Sequence, residues 1–262
     1  MKRVTVVIPV YNLDTYRLNN LLFILPLLVP RYNVCIIEQI NKSNTHNTLK
    51  LPKKFNINHI RHIKLTNSSN IIHKTWLINK SCNFVSTPFI WVIDCDFYMN
   101  FKTFILDNDI LDRYDWIQPY NYARSLSENE TKQLHDNGEL TIQYYGHLQD
   151  KHRHVNFYGA LSYIFNVVAY QQLGGMDENY IGWGYEDYDI FLTLHNKIPN
   201  NPVYINRSHC GMHQWHPTSE KNIEEQANRN LMLFANKGYN LKQVNKMLKQ
   251  HYYKEWVFND ID

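Results

Sequence analysis

The chain has 262 residues, of which 44% are hydrophobic and 14% aromatic, and it carries a formal net charge of +3 at pH 7. This length predicts one large domain, and the aromatic content excludes an intrinsically disordered chain. The near balance of 27 basic and 24 acidic residues argues against nucleic-acid binding driven by bulk charge, and the lack of an apolar run of about 18 residues predicts no transmembrane segment.

The first half of the sequence alternates apolar strands with helical segments. Short β-branched or apolar runs predict buried strands at residues 4–10, 34–38, 60–65 and 89–93. Apolar residues at helical spacing predict helices at residues 16–25 and 71–84. This order predicts an α/β fold with a mostly parallel central sheet flanked by helices, because parallel strands need crossover connections.

After Asp96 the pattern becomes irregular. Ser127-x-x-Glu130 predicts a capping box at the start of a short helix. Further elements are predicted as a strand at 157–165 and helices at 166–173, 186–196 and 220–250, the last interrupted near Gly238. We therefore expect a domain over residues 1–218, with a C-terminal helical extension over 219–262 packed on it.

The cysteines lack the paired spacing of a metal site or a disulfide scaffold, at Cys35, Cys82, Cys95 and Cys210. No secretory signal opens the sequence. We expect a cytoplasmic protein with reduced thiols.

Asp94 and Asp96 follow a predicted buried strand. In an α/β sheet, ligands bind at the carboxyl ends of the strands, and two carboxylates there repel each other unless a cation lies between them. A hard divalent ion such as Mn²⁺ or Mg²⁺ would meet that need and hold a diphosphate. A polar strand end that caps the next turn is the alternative interpretation of so short a motif.

The segment 182–189 reads Gly-Trp-Gly-Tyr-Glu-Asp-Tyr-Asp. Acidic residues in the first turn of a helix are favoured by the helix dipole, which explains one or two of them without any function. The dipole does not explain Trp183 between two glycines. An aromatic ring beside carboxylates is typical of a sugar site, and clustered carboxylates raise one another's pKa, which suits a general base.

Three histidines fall within residues 208–217, at His209, His213 and His216. A three-histidine zinc site is one interpretation. The neighbouring carboxylate motifs favour instead one imidazole that completes an oxygen-rich Mn²⁺ shell. The scattered arginines are interpreted as solvated surface.

Together these motifs resemble the glycosyltransferases of the GT-A fold. The resemblance rests on Val-Ile-Pro-Val-Tyr-Asn at 7–12, the Asp94–Asp96 pair, and the 182–189 segment followed by His213-Gln214. The nearest likenesses are the β-1,4-galactosyltransferase-like enzymes and the transferase domains of bacterial chondroitin polymerases, over about residues 4–235. It implies a single GT-A (Rossmann-like) domain with a C-terminal helical tail.

The resemblance also implies roles for individual residues. The donor nucleotide would contact Pro9, Tyr11, Asn12, Glu38 (with Gln39), Lys74, Asp94 and Asp96. The metal would be held by Asp96 and His213, with Asp94 and His216 as further candidates. Sugar and acceptor would contact Trp183, Gly184 and Glu186.

Asp187 matches the catalytic base of the inverting enzymes. The retaining polypeptide N-acetylgalactosaminyltransferases have an amide at this position, so a carboxylate favours inversion. Tyr185 stands where the galactosyltransferases have glycine, and we expect it to narrow the pocket.

The implied activity is metal-dependent inverting transfer of a hexose or N-acetylhexosamine from a UDP-sugar to the hydroxyl of a glycan, a lipid-linked sugar or a protein. A nucleotidyltransferase would need the same acids, but the sequence lacks a Gly-rich basic loop for a triphosphate. A catalytically inactive GT-A-fold carbohydrate-binding or scaffolding protein is the other alternative, and transfer activity would discriminate it. A subunit that acts only with a separate transferase also stays open.

Overall fold

A computed structural model of the chain describes residues 2–42, 48–52, 60–120, 122–140, 162–197, 204–206, 208–217 and 223–238, and these are the residues to which structural statements refer. The strands are β1 (Val4–Val10), β2 (Asn33–Asn41), β3 (Ile60–Asn67), β4 (Phe89–Ile93), β5 (Phe97–Tyr98), β6 (Trp116–Gln118), β7 (Tyr122–Ser125), β8 (Ser162–Asn166), β9 (Tyr204–Ile205) and β10 (Cys210–His213). The helices are α1 (Thr15–Leu28), α2 (Lys74–Ser81), α3 (Asn108–Arg113), α4 (Glu128–Asn137), α5 (Val167–Gln172), α6 (Glu186–Lys197) and α7 (Ile223–Asn236).

The central sheet has seven strands in the order β3-β2-β1-β4-β8-β6-β9. All neighbouring pairs are parallel except those of β8, which runs antiparallel to β4 and β6. A second sheet has the order β5-β10-β7. The predicted α/β fold with a mostly parallel sheet is confirmed.

Both faces of the central sheet are covered, so β1 is buried along its whole length. On one face Val6 and Ile8 belong to a core with Leu21 and Ile24 of α1, and on the other face Val7 packs in a core that includes α2. This two-sided burial explains why β1 reads as a continuous apolar run rather than as an alternating one.

Helix α1 continues through Pro26 to Leu28, whereas the sequence predicted an end at residue 25. Proline removes one backbone hydrogen bond from a helix interior. Leu25 and Leu28 are fully buried against the sheet. We attribute the extra turn to this burial, which outweighs the local cost of the proline.

Several other boundaries differ from the predictions by a few residues. The described part of β8 begins at Ser162, and the predicted strand residues 157–161 lie outside the described residues. Helix α7 ends at Asn236, two residues before Gly238, which has a positive φ of 81°. Residues 220–222 and 239–250 of the predicted 220–250 helix lie outside the described residues. Among the described helices, none is both long enough and apolar enough to cross a bilayer.

Candidate active site and metal centre

Asp96 and two histidines meet where the two sheets join. The main-chain N–H of Gln214 donates to the carbonyl of Asp96 (2.8 Å), and β10 pairs antiparallel with β5 so that His213 lies opposite Phe97. Oδ2 of Asp96 consequently lies 3.5 Å from Nε2 of His213 and 3.2 Å from Nε2 of His216. The pairing of β10 with β5 thus brings the segment of His213 and His216 to Asp96, which is far from it in the sequence.

The three side chains offer a donor set that fits a divalent ion. One ligand atom from each of Asp96, His213 and His216 lies within 4.8 Å of the others. Donors that share an ion at roughly 2.1 Å are about 3 to 4 Å apart. One carboxylate oxygen and two imidazole nitrogens can bind a divalent transition-metal ion such as Mn²⁺, and they leave coordination positions for oxygens of a ligand.

The orientation of His216 adds chemical support for a cation. Its Nδ1 lies 3.0 Å from the carbonyl oxygen of Pro217, and because a carbonyl can only accept, Nδ1 carries the proton. In the neutral ring Nε2 then has a bare lone pair that faces the carboxylate of Asp96. Two acceptors at 3.2 Å need either a second ring proton or a metal ion between them.

The electrostatics of this group match that geometry. Burial alone would raise the pKa of Asp96, but the charge of His213 and hydrogen bonds from both imidazoles hold that pKa well below its usual range. Burial lowers the pKa of His213, and the attraction of Asp96 more than offsets this, so the net shift is upward. Asp96 is therefore ionised and able to act as a ligand.

His209 lies apart from the other two histidines. Its ring packs edge-on against Phe104, and its Nδ1 donates to Oδ1 of Asn206 (3.1 Å). Among the described residues, the grouping that could hold a metal contains His213 and His216 but not His209. The three-histidine interpretation of this stretch is therefore wrong.

The segment that carries His213 and His216 is anchored by α1 and α4. The N–H of Trp215 donates to the hydroxyl of Thr131 (2.8 Å), and Asn20 donates to the carbonyl of Trp215 (3.2 Å). His135 donates to the buried side chain of Gln214 (2.7 Å). Helix α4 begins with the predicted capping box of Ser127 and Glu130. Helix α4, whose residues show no functional pattern in the sequence, thus supports the segment that carries His213 and His216.

The two acids of the Asp94–Asp96 motif have different partners. Oδ1 of Asp94 lies 3.0 Å from Nζ of Lys74, at the start of α2, and not among the histidines. Burial and the neighbouring Asp96 raise the pKa of Asp94, although Lys74 lowers it. A role for Asp94 in metal binding stays a prediction.

Glu186 and Asp187 open α6 beside this ion pair. Asp187 is half-buried as a residue, but its Oδ1 is enclosed, and neither this atom nor Oε2 of Glu186 has a hydrogen-bond partner among the described residues. Burial raises the pKa of Asp187 well above its usual range, and Glu186 and Asp94 add to the shift while Lys74 opposes it. Burial also raises the pKa of Glu186. The site thus holds a carboxyl of unusually high basicity.

The loop before α6 presents an aromatic side chain to solvent. Trp183 is 61% exposed, between Gly182 and Gly184, whose φ angles are 79° and 101°. Tyr185 also has a positive φ of 70°, in a region that disfavours residues other than glycine. Its ring packs against Tyr188 and Phe234. Tyr185 therefore contacts α6 and α7, and the narrowing of the pocket by this residue stays a prediction.

Several of the residues predicted to bind the nucleotide lie at the ends of β1 and β2. Pro9 is opposite Ile37 in the parallel pair, and Tyr11 and Asn12 follow directly. The buried carboxylate of Glu38 accepts from the N–H of Leu49 (2.6 Å) and lies 2.8 Å from Nε2 of His62. Gln39 bonds to the main chain at Ser69, Ile71 and His73. Both side chains are thus already hydrogen-bonded within the protein.

Arg17 is a candidate that the sequence interpretation missed. Its side chain is only 19% exposed, it pairs with the N-cap residue Asp14 (2.8 Å), and its Nε lies 4.0 Å from Oδ2 of Asp96. Among the arginines interpreted as solvated surface, this one lies beside the group of Asp96, His213 and His216. One sequence feature could have indicated this residue: an aspartate at a helix start, just after the first strand, lies three residues before the arginine and can pair with it.

A family model described as "Glycosyltransferase like family 2" matches residues 5–216. The chain belongs to this family. The match includes all the candidate site residues named above. Helix α7, which contacts the ring of Tyr185, lies beyond the matched residues. No curated protein matches the sequence.

Solved structures show the same fold for this glycosyltransferase. TarS 1–349 of S. aureus, in complex with UDP-GlcNAc, is 14% identical, with 98% of this chain and 73% of that chain covered and a TM-score of 0.56. Another structure of TarS 1–349 is 14% identical, with 98% of this chain and 72% of that chain covered and a TM-score of 0.54. The catalytic domain of Drosophila β1,4-galactosyltransferase 7, in complex with xylobiose, is 15% identical, with 79% of this chain and 66% of that chain covered and a TM-score of 0.45.

Proposed function

We propose that this glycosyltransferase moves a hexose or N-acetylhexosamine from a UDP-sugar to an acceptor hydroxyl, with a divalent metal and with inversion at the anomeric carbon. One observation carries the proposal. The Lys74–Asp94 ion pair at the carboxyl end of the sheet interacts electrostatically with the enclosed carboxyl of Asp187 through Lys74, and with Asp96 and His213 of the donor set through Asp94. A base and an anion site close to each other are what sugar transfer from a nucleotide requires.

The donor site would use the strand ends and two cations. Pro9, Tyr11, Asn12 and Glu38 would contact the nucleoside, and Arg17 and Lys74 would face the diphosphate, since guanidinium and ammonium groups favour phosphate oxygens. The solved complexes of TarS with UDP-GlcNAc and with UDP support a uridine nucleotide as the donor carrier.

The metal would be held by Asp96, His213 and His216, as Mn²⁺ or Mg²⁺. Two imidazole ligands favour Mn²⁺ over Mg²⁺, which prefers oxygen. When bound, the ion supplies positive charge that stabilises the diphosphate leaving group. Asp94 would stay with Lys74 and keep that ammonium group near the phosphates.

Asp187 would act as the general base. Enclosure raises the pKa of its carboxyl, which increases its basicity, and Lys74 opposes that rise. The carboxylate would take the proton from the acceptor hydroxyl as that oxygen attacks the anomeric carbon from the face opposite the UDP. Trp183 would stack on the acceptor, with Gly184 and Glu186 beside it. A glycan, a lipid-linked sugar or a protein could supply the hydroxyl.

We assign residues 1–218 to the catalytic domain and residues 219–262 to an extension packed on it. Support for the packing comes from α7, whose buried side chains contact the loop before α6.

Calorimetric titration of UDP into the protein, with Mn²⁺ and then with EDTA, tests the proposal. We expect saturable binding with Mn²⁺ that EDTA abolishes. UDP-glucose, UDP-galactose, UDP-GlcNAc and UDP-GalNAc would then be compared as donors, and the anomeric configuration of the product read by NMR. Absence of UDP binding with Mn²⁺ would overturn the donor assignment, and retention of configuration would overturn the inverting mechanism. UDP binding without turnover on any acceptor would favour the inactive carbohydrate-binding alternative.

A further inference from the structure

One face of α7 is built from buried polar groups and one aromatic ring. Gln226, Asn230 and Phe234 recur at a spacing of four residues and are 4%, 0% and 0% exposed. Lys237 follows three positions later, just after the helix. Residues spaced by three or four share a helix face. This face, which we call the clamp face, lies outside the residues matched by the family model.

The clamp face binds the main chain of the loop that carries Trp183. Nδ2 of Asn230 donates to the carbonyls of Ile181 (3.3 Å), Trp183 (3.1 Å) and Gly184 (3.0 Å). Oε1 of Gln226 accepts from the N–H of Trp183 (3.1 Å). Three of the four residues from 182 to 185 have positive φ angles, so the loop cannot form a regular hydrogen-bonded element of its own. Side chains of α7 provide most of the partners instead, and the carbonyl of Ile72 accepts from the N–H of Gly182 (2.8 Å).

The same face reaches the first turn of α6. Nζ of Lys237 lies 2.9 Å from both carboxylate oxygens of Asp189 and 2.6 Å from Oδ2 of Asp177. The ring of Phe234 packs 5.7 Å from that of Tyr185. The helix therefore holds the chain on both sides of Glu186 and Asp187.

We infer that α7 fixes the acceptor site, with Asn230 and Gln226 as positioning residues for Trp183 and for the start of α6. The inference rests on the proposed function, which places the acceptor at Trp183. Because Trp183 is 61% exposed, the packing of its ring does little to hold it, and its position depends on the hydrogen bonds of its main chain. The metal-binding group and Arg17 lie on other elements, so the clamp face affects the acceptor side and not the UDP side.

Two variants test the clamp face, with a matched control on the same helix. Asn230→Asp keeps the size of the side chain but replaces the donor by a carboxylate that faces three carbonyl oxygens. Gln226→Ala removes one acceptor and is the milder change. Met232→Ala alters a 67% exposed residue of α7 and serves as the control.

Amide hydrogen exchange of residues 181–185, read by mass spectrometry, needs no substrate. We expect exchange at least about tenfold faster in Asn230→Asp and Gln226→Ala than in Met232→Ala, with unchanged exchange in β1 and α1, because only local opening is altered. The affinity for UDP with Mn²⁺ should stay within about twofold of the parent. Turnover with the best UDP-sugar donor should fall while the donor KM is unchanged.

Unchanged protection of 181–185 in both variants would overturn the inference. Faster exchange throughout the chain, or an equal loss of UDP affinity, would also overturn it, since either result means a general structural role. If Asn230→Asp does not fold, Gln226→Ala decides the question alone. Failure of the parent protein to bind UDP is a separate result that affects the proposed function and leaves the exchange measurement intact.

Discussion

Nε2 of His216 lies 3.2 Å from Oδ2 of Asp96, closer than the 3.5 Å of His213. The side chain of His216 is also the more enclosed of the two, at 13% against 29% exposed. The resemblance to known transferases selected His213 as the metal ligand. The geometry places both imidazoles on one carboxylate oxygen, and we therefore expect both to bind the ion.

Removal of either imidazole should weaken metal-dependent UDP binding. We expect His213→Ala and His216→Ala each to raise the Mn²⁺ concentration needed for half-maximal UDP affinity by about 10- to 100-fold, and Asp96→Ala to abolish the metal dependence. Mn²⁺ titrations at fixed UDP provide the measurement. His209→Ala is the control, because that ring packs on Phe104 instead. Metal affinity that survives Asp96→Ala would place the metal elsewhere.

Asp187→Asn should lower the turnover number for sugar transfer by about 10²–10⁴-fold, the usual contribution of a general base. The affinity for UDP with Mn²⁺ should be unaffected, because the amide keeps the size of the side chain. Steady-state kinetics and calorimetry on the same preparation measure both quantities. Asp109→Asn, an exposed acid in the first turn of α3, is the matched control. A fully active Asp187→Asn enzyme would show that another group takes the proton.

The acidic limb of the pH profile of kcat/KM should reflect the ionisation of Asp187. Burial raises the pKa of its carboxyl well above the ordinary value, and transfer needs the ionised form. The value of kcat/KM should therefore fall as the pH drops through this raised pKa, well above the usual aspartate value of about 3.9. Lys74 lowers that pKa, so Lys74→Met should move the limb to higher pH.

Profiles of kcat/KM from about pH 5 to about pH 9 would measure this shift. Lys80→Met changes an exposed lysine of the same helix and should leave the limb in place. Movement of the limb to lower pH in Lys74→Met would contradict the electrostatic interpretation of Asp187.

Arg17→Met should weaken binding of UDP but not of uridine. A lost hydrogen bond between charged groups corresponds to roughly 10- to 100-fold in affinity. Uridine has no phosphate, so its affinity should stay within about twofold of the parent. Calorimetry with both ligands distinguishes the two cases, and Arg113→Met on the exposed side of α3 is the control. An equal loss for uridine would place Arg17 at the nucleoside instead.

Local sequence patterns were enough to predict the central strands and several helix starts. The strands β1, β2 and β4 are predicted because burial on both faces of a sheet requires a continuous run of apolar residues, and such a run can be recognised in the sequence. The capping box of Ser127 and Glu130 is likewise a contact between near neighbours, and the structure has it. The position of Asp94 and Asp96 at a strand end follows from the same reasoning.

Pairings between distant segments could not be predicted in this way. The sequence suggested that Asp94 and Asp96 share one cation. In the structure, Asp94 pairs with Lys74, whereas Asp96 faces the histidines. That division depends on the antiparallel pairing of β10 with β5. The two-residue length of β5 gives it no periodic signal of its own.

The sequence by itself determined the fold class and the kinds of side chain at the site. Burial leaves a pattern along a whole strand or helix, and helix capping joins neighbouring residues, so both can be recognised in the sequence. The tertiary structure decided which groups meet. It brought His216 to Asp96 and placed Arg17 beside them. It also placed Asn230 within hydrogen-bond distance of the main chain of Trp183. These contacts join segments far apart in the chain, and their geometry depends on the packing of the complete sheet, which no local pattern encodes.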